Sequence, residues 1–172
     1  MKSAKFHVHA LDSGVDRSGF DCGIESLNRY FITQVGQDIK RRMTSCFMAT
    51  NPDVDIAGFY TLAAAGIALN NLPPSLTKKM PRYPTVPAVR LGRLAVALTY
   101  KGQGLGAALL ADALTKTLQA DIAAYAMLVD AKDETAAQFY AHHGFSPIQE
   151  KPKLLYLPLA TAQSVLNKKL RT

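Results

Sequence analysis

The chain has 172 residues, 48% of them hydrophobic and 19% charged, a balance that suits one compact soluble domain spanning residues 1–172. No apolar run approaches bilayer length, and the opening MKSAKFHVHA lacks a signal-peptide core. That excludes membrane-spanning and exported classes and predicts a cytoplasmic protein. A net charge of +7 and a pI near 9.5 fit either a merely basic surface or an anionic partner such as nucleic acid.

In chain order, Ala4 to Leu11 reads as a first strand. Asp21-Cys22-Gly23 introduces a helix from about Ile24 to Arg41, with Ile24, Leu27, Phe31, Val35 and Ile39 along one face. It ends in Lys40, Arg41 and Arg42, which serve either the helix dipole or a polyanionic substrate. Thr44 to Thr50 and Ile56 to Ile67 form an antiparallel hairpin around Asn51-Pro52-Asp53. Leu69 to Pro87 holds five prolines, so a regular helix or central strand is excluded across most of it. It carries Lys78, Lys79 and Arg82, and a long ordered loop in a small domain is often functional. The two cysteines, Cys22 and Cys46, lie far apart without a paired motif and read as reduced thiols.

The strand from Ala88 to Leu98 changes apolar parity, from Val89 and Leu91 to Leu94, Val96 and Leu98. Gly92 and Arg93 sit at the change and predict a bulge, whose unpaired backbone groups can bind a ligand. Gly102, Gly104 and Gly106 follow, then a helix over Leu105–Leu118. Glycines at a strand–helix junction let the backbone approach a ligand, and the helix N-terminus favours an anion, usually phosphate. A Walker loop is excluded because Ala107-Ala108 follow Gly106 where Lys and Ser or Thr are required. A dinucleotide fingerprint fits Gly102-x-Gly104-x-x-Ala107 locally, but too little chain follows for that fold. Tyr125 to Val129 is a short strand, and Asp133 caps a helix carrying Phe139 and Tyr140. His142-His143-Gly144-Phe145 ends that helix. Leu154 to Leu157 is a last strand, and Val165, Leu166 and Leu170 give a basic tail helix.

Lys101-Gly-Gln-Gly104-Leu-Gly106 resembles the acetyl-CoA loop of the GNAT acetyltransferases, with Lys101 in place of the usual Gln or Arg. The order of elements is similar to that family throughout. Phe20-Asp-Cys22-Gly23 with Leu27-Asn28, Gly58-Phe-Tyr60, Arg82-Tyr83-x-x-Val86-Pro87 and Leu91-Gly-Arg93-Leu-Ala-Val96 recur together in one branch. So do Gly104-Leu-Gly106, Asp130-Ala-Lys132 and Phe139-Tyr140 before Gly144-Phe145. The set, from about Phe20 to Leu157, resembles the acetyltransferase toxins of bacterial toxin–antitoxin modules.

The resemblance implies an α/β (α+β) GNAT fold: a central mixed, mostly antiparallel sheet of six to seven strands flanked by helices. It implies acetyl transfer from acetyl-CoA to the α-amino group of aminoacyl-tRNA, which blocks translation. It also implies a ribbon-helix-helix antitoxin able to form an operator-binding complex, and a homodimer. Acetyl-CoA is then held by Leu94, Ala95, Val96, Lys101, Gly102, Gln103, Gly104, Leu105, Gly106, Ala107 and Phe139. The tRNA is met by Lys40, Arg41, Arg42, Lys78, Lys79, Arg82, Arg90 and Arg93.

Tyr140 is the catalytic candidate, because a phenol with pKa about 10 stays protonated at neutral pH and can protonate a departing thiolate. His142 and His143 are its rivals. Cys22 lacks a base or cationic neighbour that would make it a nucleophile, and no spacing of His, Cys and carboxylates argues for a metal. Two other readings stay open: the same chemistry on a small amine, antibiotic or protein N-terminus, and a nucleic-acid-binding module whose glycine loop is structural.

Overall fold

A computed structural model describes residues 6–170; Ala4 and Lys5, part of the first predicted strand, lie outside the described residues. Seven strands form one mixed sheet in the order β1-β2-β3-β4-β5-β7-β6. They are β1 (His7–Ala10), β2 (Ser45–Thr50), β3 (Ile56–Ala68), β4 (Thr85–Val96), β5 (Ala126–Asp130), β6 (Ser146–Ile148) and β7 (Lys151–Pro158). The pairs β1/β2, β2/β3, β5/β7 and β6/β7 are antiparallel, and β4/β5 is parallel. Sequence pattern missed β6, a three-residue strand with Pro147 at its centre. Among the described residues no helix is long and apolar enough to cross a membrane.

The chain packs as two compact units, Met1–Ala63 with Gly92–Ala113 and Ala64–Leu91 with Leu114–Thr172. In the first, Phe31 and Phe59 stack at 4.2 Å and Phe20 meets both edge-on, at 4.9 and 5.5 Å. Val35, Cys46, Met48, Ala95 and Ala97 complete that core. In the second, Ile67, Leu72, Val86, Ala88, Ala126, Leu128, Ile148 and Tyr156 pack together.

The single helix expected over Ile24–Arg41 is interrupted. It runs as α1 (Glu25–Arg29), a π-helical turn (Tyr30–Gln34) and α2 (Val35–Lys40). Leu27, Phe31, Val35 and Ile39 recur at steps of four, and each step overshoots an α-helical turn by about 40°. The wider π turn takes up that drift, so Phe31 and Val35 are both fully buried. α2 stops in a Schellman motif: Arg42 N–H donates to the Ile39 carbonyl at 3.0 Å and Met43 N–H to the Asp38 carbonyl at 2.8 Å. Arg42 therefore sits at φ +58°, a left-handed position where glycine is usual.

β4 also departs from expectation. It starts at Thr85 rather than Ala88, ends at Val96 rather than Leu98, and includes Pro87. Its buried residues are Val86 and Ala88, then Leu91 and Ala95, so the parity change lies between Ala88 and Leu91, upstream of Gly92–Arg93. The inward face is reversed as well: Ala95 and Ala97 are buried and Leu98 is 52% exposed. The aromatic cluster fills this side of the first unit, leaving room only for small side chains where hydrophobicity alone favoured Leu94, Val96 and Leu98.

Close approach explains Gly58. A Cβ there would stand 2.7 Å from the Ala95 carbonyl oxygen and 2.9 Å from Leu109 Cδ1. Backbone on one side and a buried side chain on the other cannot yield cheaply. Gly58→Ala is expected to lower stability by about 1–3 kcal/mol, seen as an earlier urea midpoint at unchanged slope. An unchanged midpoint would mean that β3 and β4 have slack here.

The Pro-rich segment is ordered. It contains a 3₁₀ turn (Leu69–Asn71) and a short helix α3 (Pro74–Thr77), which sequence reasoning had not placed. Pro74 takes the first helical position, where a missing N–H costs nothing. Leu69 N–H donates to the Pro84 carbonyl at 3.0 Å and ties the ends together, while Leu72 is buried beneath. The remaining helices are α4 (Leu105–Gln119), α5 (Glu134–His142) and α6 (Leu159–Leu170), the last beginning earlier than the tail helix predicted. Asp133 caps α5 as expected, accepting from Ala136 N–H at 2.8 Å.

Candidate active site

The predicted anion loop lies wholly in the first unit. Lys101, Gly102, Gln103 and Gly104 are exposed, Leu105 is buried, and Gly106 and Ala107 are half-buried. Gly102 and Gly104 both adopt φ +78°, and a Cβ on either would meet nothing within 4 Å. The loop therefore needs glycine for its backbone conformation and fronts open space. Gly104 carbonyl accepts the Ala108 N–H at 3.1 Å as α4 begins, so the N–H groups of Leu105, Gly106 and Ala107 lie in the turn that has no intrahelical acceptors. At the mouth of a 15-residue helix these donors suit a phosphate. The cavity of about 590 Å³ lined by Asp16, Asp21, Asp55 and Leu98–Tyr100 has the opposite sign and does not.

A clasp between distant residues holds the loop's entry. Asp21 Oδ1 accepts from Gly23 N–H at 2.8 Å and Asn28 Nδ2 at 2.9 Å, Asn28 Oδ1 accepts from Cys22 N–H at 2.8 Å, and the Asp21 carbonyl accepts from Leu98 N–H at 2.9 Å. The Gly23 N–H, the Asn28 amide and, to a smaller degree, Lys101 hold the Asp21 carboxyl below its usual range. Lys101 Nζ leans over this turn, 3.8 Å from where a Gly23 Cβ would be.

The other predicted cofactor segment is the end of β4. Its register with β5 runs only from Ala88 to Leu91, so Gly92–Val96 continue past the last pair. Arg93 N–H donates to the Thr61 hydroxyl at 3.0 Å, a side-chain acceptor where a regular ladder offers a carbonyl. Leu94 and Val96 are half-buried and Ala95 is buried.

Tyr140 lies in the second unit, 8% exposed. Its ring packs edge-on to Phe139 at 5.2 Å and Phe145 at 5.5 Å, and Phe139 itself is half-buried. Burial pushes the phenol up to about 12, so the hydroxyl carries its proton throughout the neutral range and is suited to give it rather than take one. No buried side-chain polar atom is left without a partner among the described residues. His142 is exposed, and His143 packs its ring on Phe139 at 4.7 Å.

Lys40, Arg41, Arg42, Lys78, Lys79, Arg82 and Arg90 are all exposed. Arg93 differs, because its guanidinium lies 3.5 Å from the Tyr30 ring centroid and is engaged within the first unit. Tyr30 in turn donates to Asp38 Oδ2 at 2.9 Å. Sequence reasoning missed Thr61, Tyr30 and the Asp21–Asn28 clasp; only the glycine at position 92 hinted that something approaches β4 closely. Both cysteines are free and buried, and burial raises Cys46 to about 12. Among the described residues no group of three or more His, Cys, Asp or Glu could hold a metal.

Known proteins resemble this chain in both sequence and fold. Residues 80–154 match the acetyltransferase (GNAT) domain. A tRNA-acetylating toxin of Mycobacterium tuberculosis (strain ATCC 25618 / H37Rv) is 33% identical over 153 residues, 88% of this chain and 90% of that protein. The structure of AtaT complexed with acetyl-methionyl-tRNAfMet superposes with a TM-score of 0.83 at 30% identity, over 94% of this chain and 99% of that one. A Tyr-to-Phe mutant of the AtaT toxin, bound to the C-terminus of the antitoxin AtaR and acetyl-CoA, gives a TM-score of 0.76 at 26% identity, over 94% and 98%. The chain belongs to the GNAT acetyltransferase family, in the branch of the acetylating toxins.

Proposed function

We propose that this protein transfers the acetyl group of acetyl-CoA to the α-amino group of an aminoacyl-tRNA and thereby blocks translation, as the toxin of a toxin–antitoxin pair. The observation that carries it is the open glycine cradle at the start of α4, in a chain similar to AtaT complexed with acetyl-methionyl-tRNAfMet. When bound, acetyl-CoA supplies the acetyl group as a thioester.

Lys101–Ala107 hold its phosphates through backbone N–H groups and the helix dipole. The edge of β4 at Leu94–Val96 pairs with the amide-bearing arm as an added strand would, and an N–H there is the donor for the carbonyl oxygen on which charge develops. Phe139 packs against the cofactor. Tyr140 holds a proton at Oη for the leaving thiolate. No dedicated base is required, because a free α-amino group titrates at about 7.7–8.0 and a neighbouring ester lowers that further.

The exposed groups Lys40, Arg41 and Arg42 of the first unit, and Lys78, Lys79 and Arg82, with Arg90, of the second, are the candidate contacts to tRNA; Arg93, half-buried with its guanidinium on Tyr30, leaves that set. Neutralising either cluster of three is expected to raise KM for charged tRNA and leave acetyl-CoA affinity intact. Each lost phosphate contact also flattens the log–log salt dependence by roughly 0.7–0.9. Wild-type KM and salt slope in both triple mutants would reduce the clusters to solvated surface. Acceptor profiling with radiolabelled acetyl-CoA separates aminoacyl-tRNA from small amines and protein N-termini.

The same reading gives a single catalytic domain over residues 1–172, a cytoplasmic homodimer and a ribbon-helix-helix antitoxin able to carry it to operator DNA. The length shared with the M. tuberculosis relative and the antitoxin bound to AtaT support this. Co-purification with the product of a small neighbouring reading frame tests the pairing.

A further inference from the structure

We infer that Thr61 is a positioning residue for the edge of β4 that holds acetyl-CoA; the inference rests on the reading of Leu94–Val96 given above. Thr61 lies on β3 and is 1% exposed. Its Oγ1 accepts the Arg93 N–H at 3.0 Å. A β-branched side chain in a strand is stiff about χ1, so the hydroxyl direction is set by the β3 backbone. A hydroxyl in place of a ladder carbonyl makes β4 follow a side chain instead of a straight partner strand.

Gly92 is part of the same device, because a Cβ there would stand 3.0 Å from Thr61 Oγ1. Arg93 is then held at both ends: its N–H by Thr61, and its guanidinium over Tyr30, whose hydroxyl is anchored on Asp38. The next residues are Leu94, Ala95 and Val96. The direction of their N–H groups follows from where the Thr61 hydroxyl holds the Arg93 N–H. Thr61 acts through that backbone, at the point where β4 has left its register with β5.

The test measures acetyl-CoA affinity by calorimetry, KM for acetyl-CoA and for aminoacyl-tRNA, and melting temperature. The variants are Thr61→Val, Thr61→Ser, Gly92→Ala and Gly104→Asp. Thr61→Val keeps shape and removes the acceptor, leaving the Arg93 N–H unsatisfied. It is expected to raise Kd and KM for acetyl-CoA about tenfold, the factor that about 1.4 kcal/mol of lost pairing gives, without moving KM for tRNA. Thr61→Ser keeps the acceptor but not the stiff branch, and should recover most of the affinity that Thr61→Val loses.

Gly92→Ala should reproduce Thr61→Val by excluding the hydroxyl, and it decides the matter if Thr61→Val fails to fold. Wild-type acetyl-CoA affinity in Thr61→Val and Gly92→Ala, with binding lost in Gly104→Asp, would overturn the inference alone. So would Thr61→Ser as impaired as Thr61→Val, or a rise in KM for tRNA in step with that for acetyl-CoA. Normal acetyl-CoA binding by Gly104→Asp would overturn the underlying reading, and the inference with it.

Discussion

Tyr140→Phe is expected to lower kcat by about 10²–10⁴-fold, the usual yield of positioned acid catalysis, while the protein folds and binds both substrates as before. Phe keeps the ring and its edge-on contacts with Phe139 and Phe145 and removes the hydroxyl, and with it the proton to be given. The hydroxyl acts in the transition state, so kcat rather than KM carries the loss. Because burial raises the phenol to about 12, the acid form persists well above pH 10. The alkaline fall in rate that Tyr140 causes belongs near pH 12, while the acceptor amine sets the acid limb.

Stability follows the same sign. A phenol raised on folding contributes fully below its unfolded value near 10 and loses that contribution as pH rises towards 12, a loss that Tyr140→Phe abolishes. Single-turnover rate, melting temperature and acetyl-CoA affinity on one preparation decide the case. A folded mutant acetylating at the wild-type rate would return Tyr140 to the hydrophobic core.

Gly104→Asp is expected to fold and to lose acetyl-CoA binding by at least about 100-fold, because like charges brought together cost several kcal/mol and each 1.4 kcal/mol is tenfold. Asp tolerates left-handed φ better than most residues, and at φ +78° its Cβ meets nothing within 4 Å. The free protein therefore accommodates it at a cost of about 1–2 kcal/mol. The new carboxylate stands where the phosphates are held.

Gly106→Asp separates charge from strain. Position 106 is in the first turn of α4, where an acidic side chain stabilises a helix by about 0.3–1 kcal/mol. It should lose binding while melting no lower. Calorimetry with acetyl-CoA on the folded mutants is the measurement, and undiminished affinity in both would place the cofactor elsewhere.

The sequence by itself determined what local chemistry controls. The hairpin around Asn51–Asp53, the glycine junction before α4 and the Asp133 cap all appear where sequence placed them, because turn residues, caps and glycines act within a few positions. The acetyltransferase assignment also came from motifs in order along the chain.

Tertiary packing decided the rest. The face that β4 buries depended on an aromatic cluster drawn from Phe20, Phe31 and Phe59, three separate segments. The π turn appeared because Tyr30, Phe31 and Val35 all had to be buried. Arg93, expected at the tRNA, instead lies over Tyr30, which stands 63 positions earlier in the chain. Thr61, 32 residues from Arg93, carried no local signal at all. Tyr140's elevated pKa likewise follows from burial, which depends on neighbours that only the folded chain assembles.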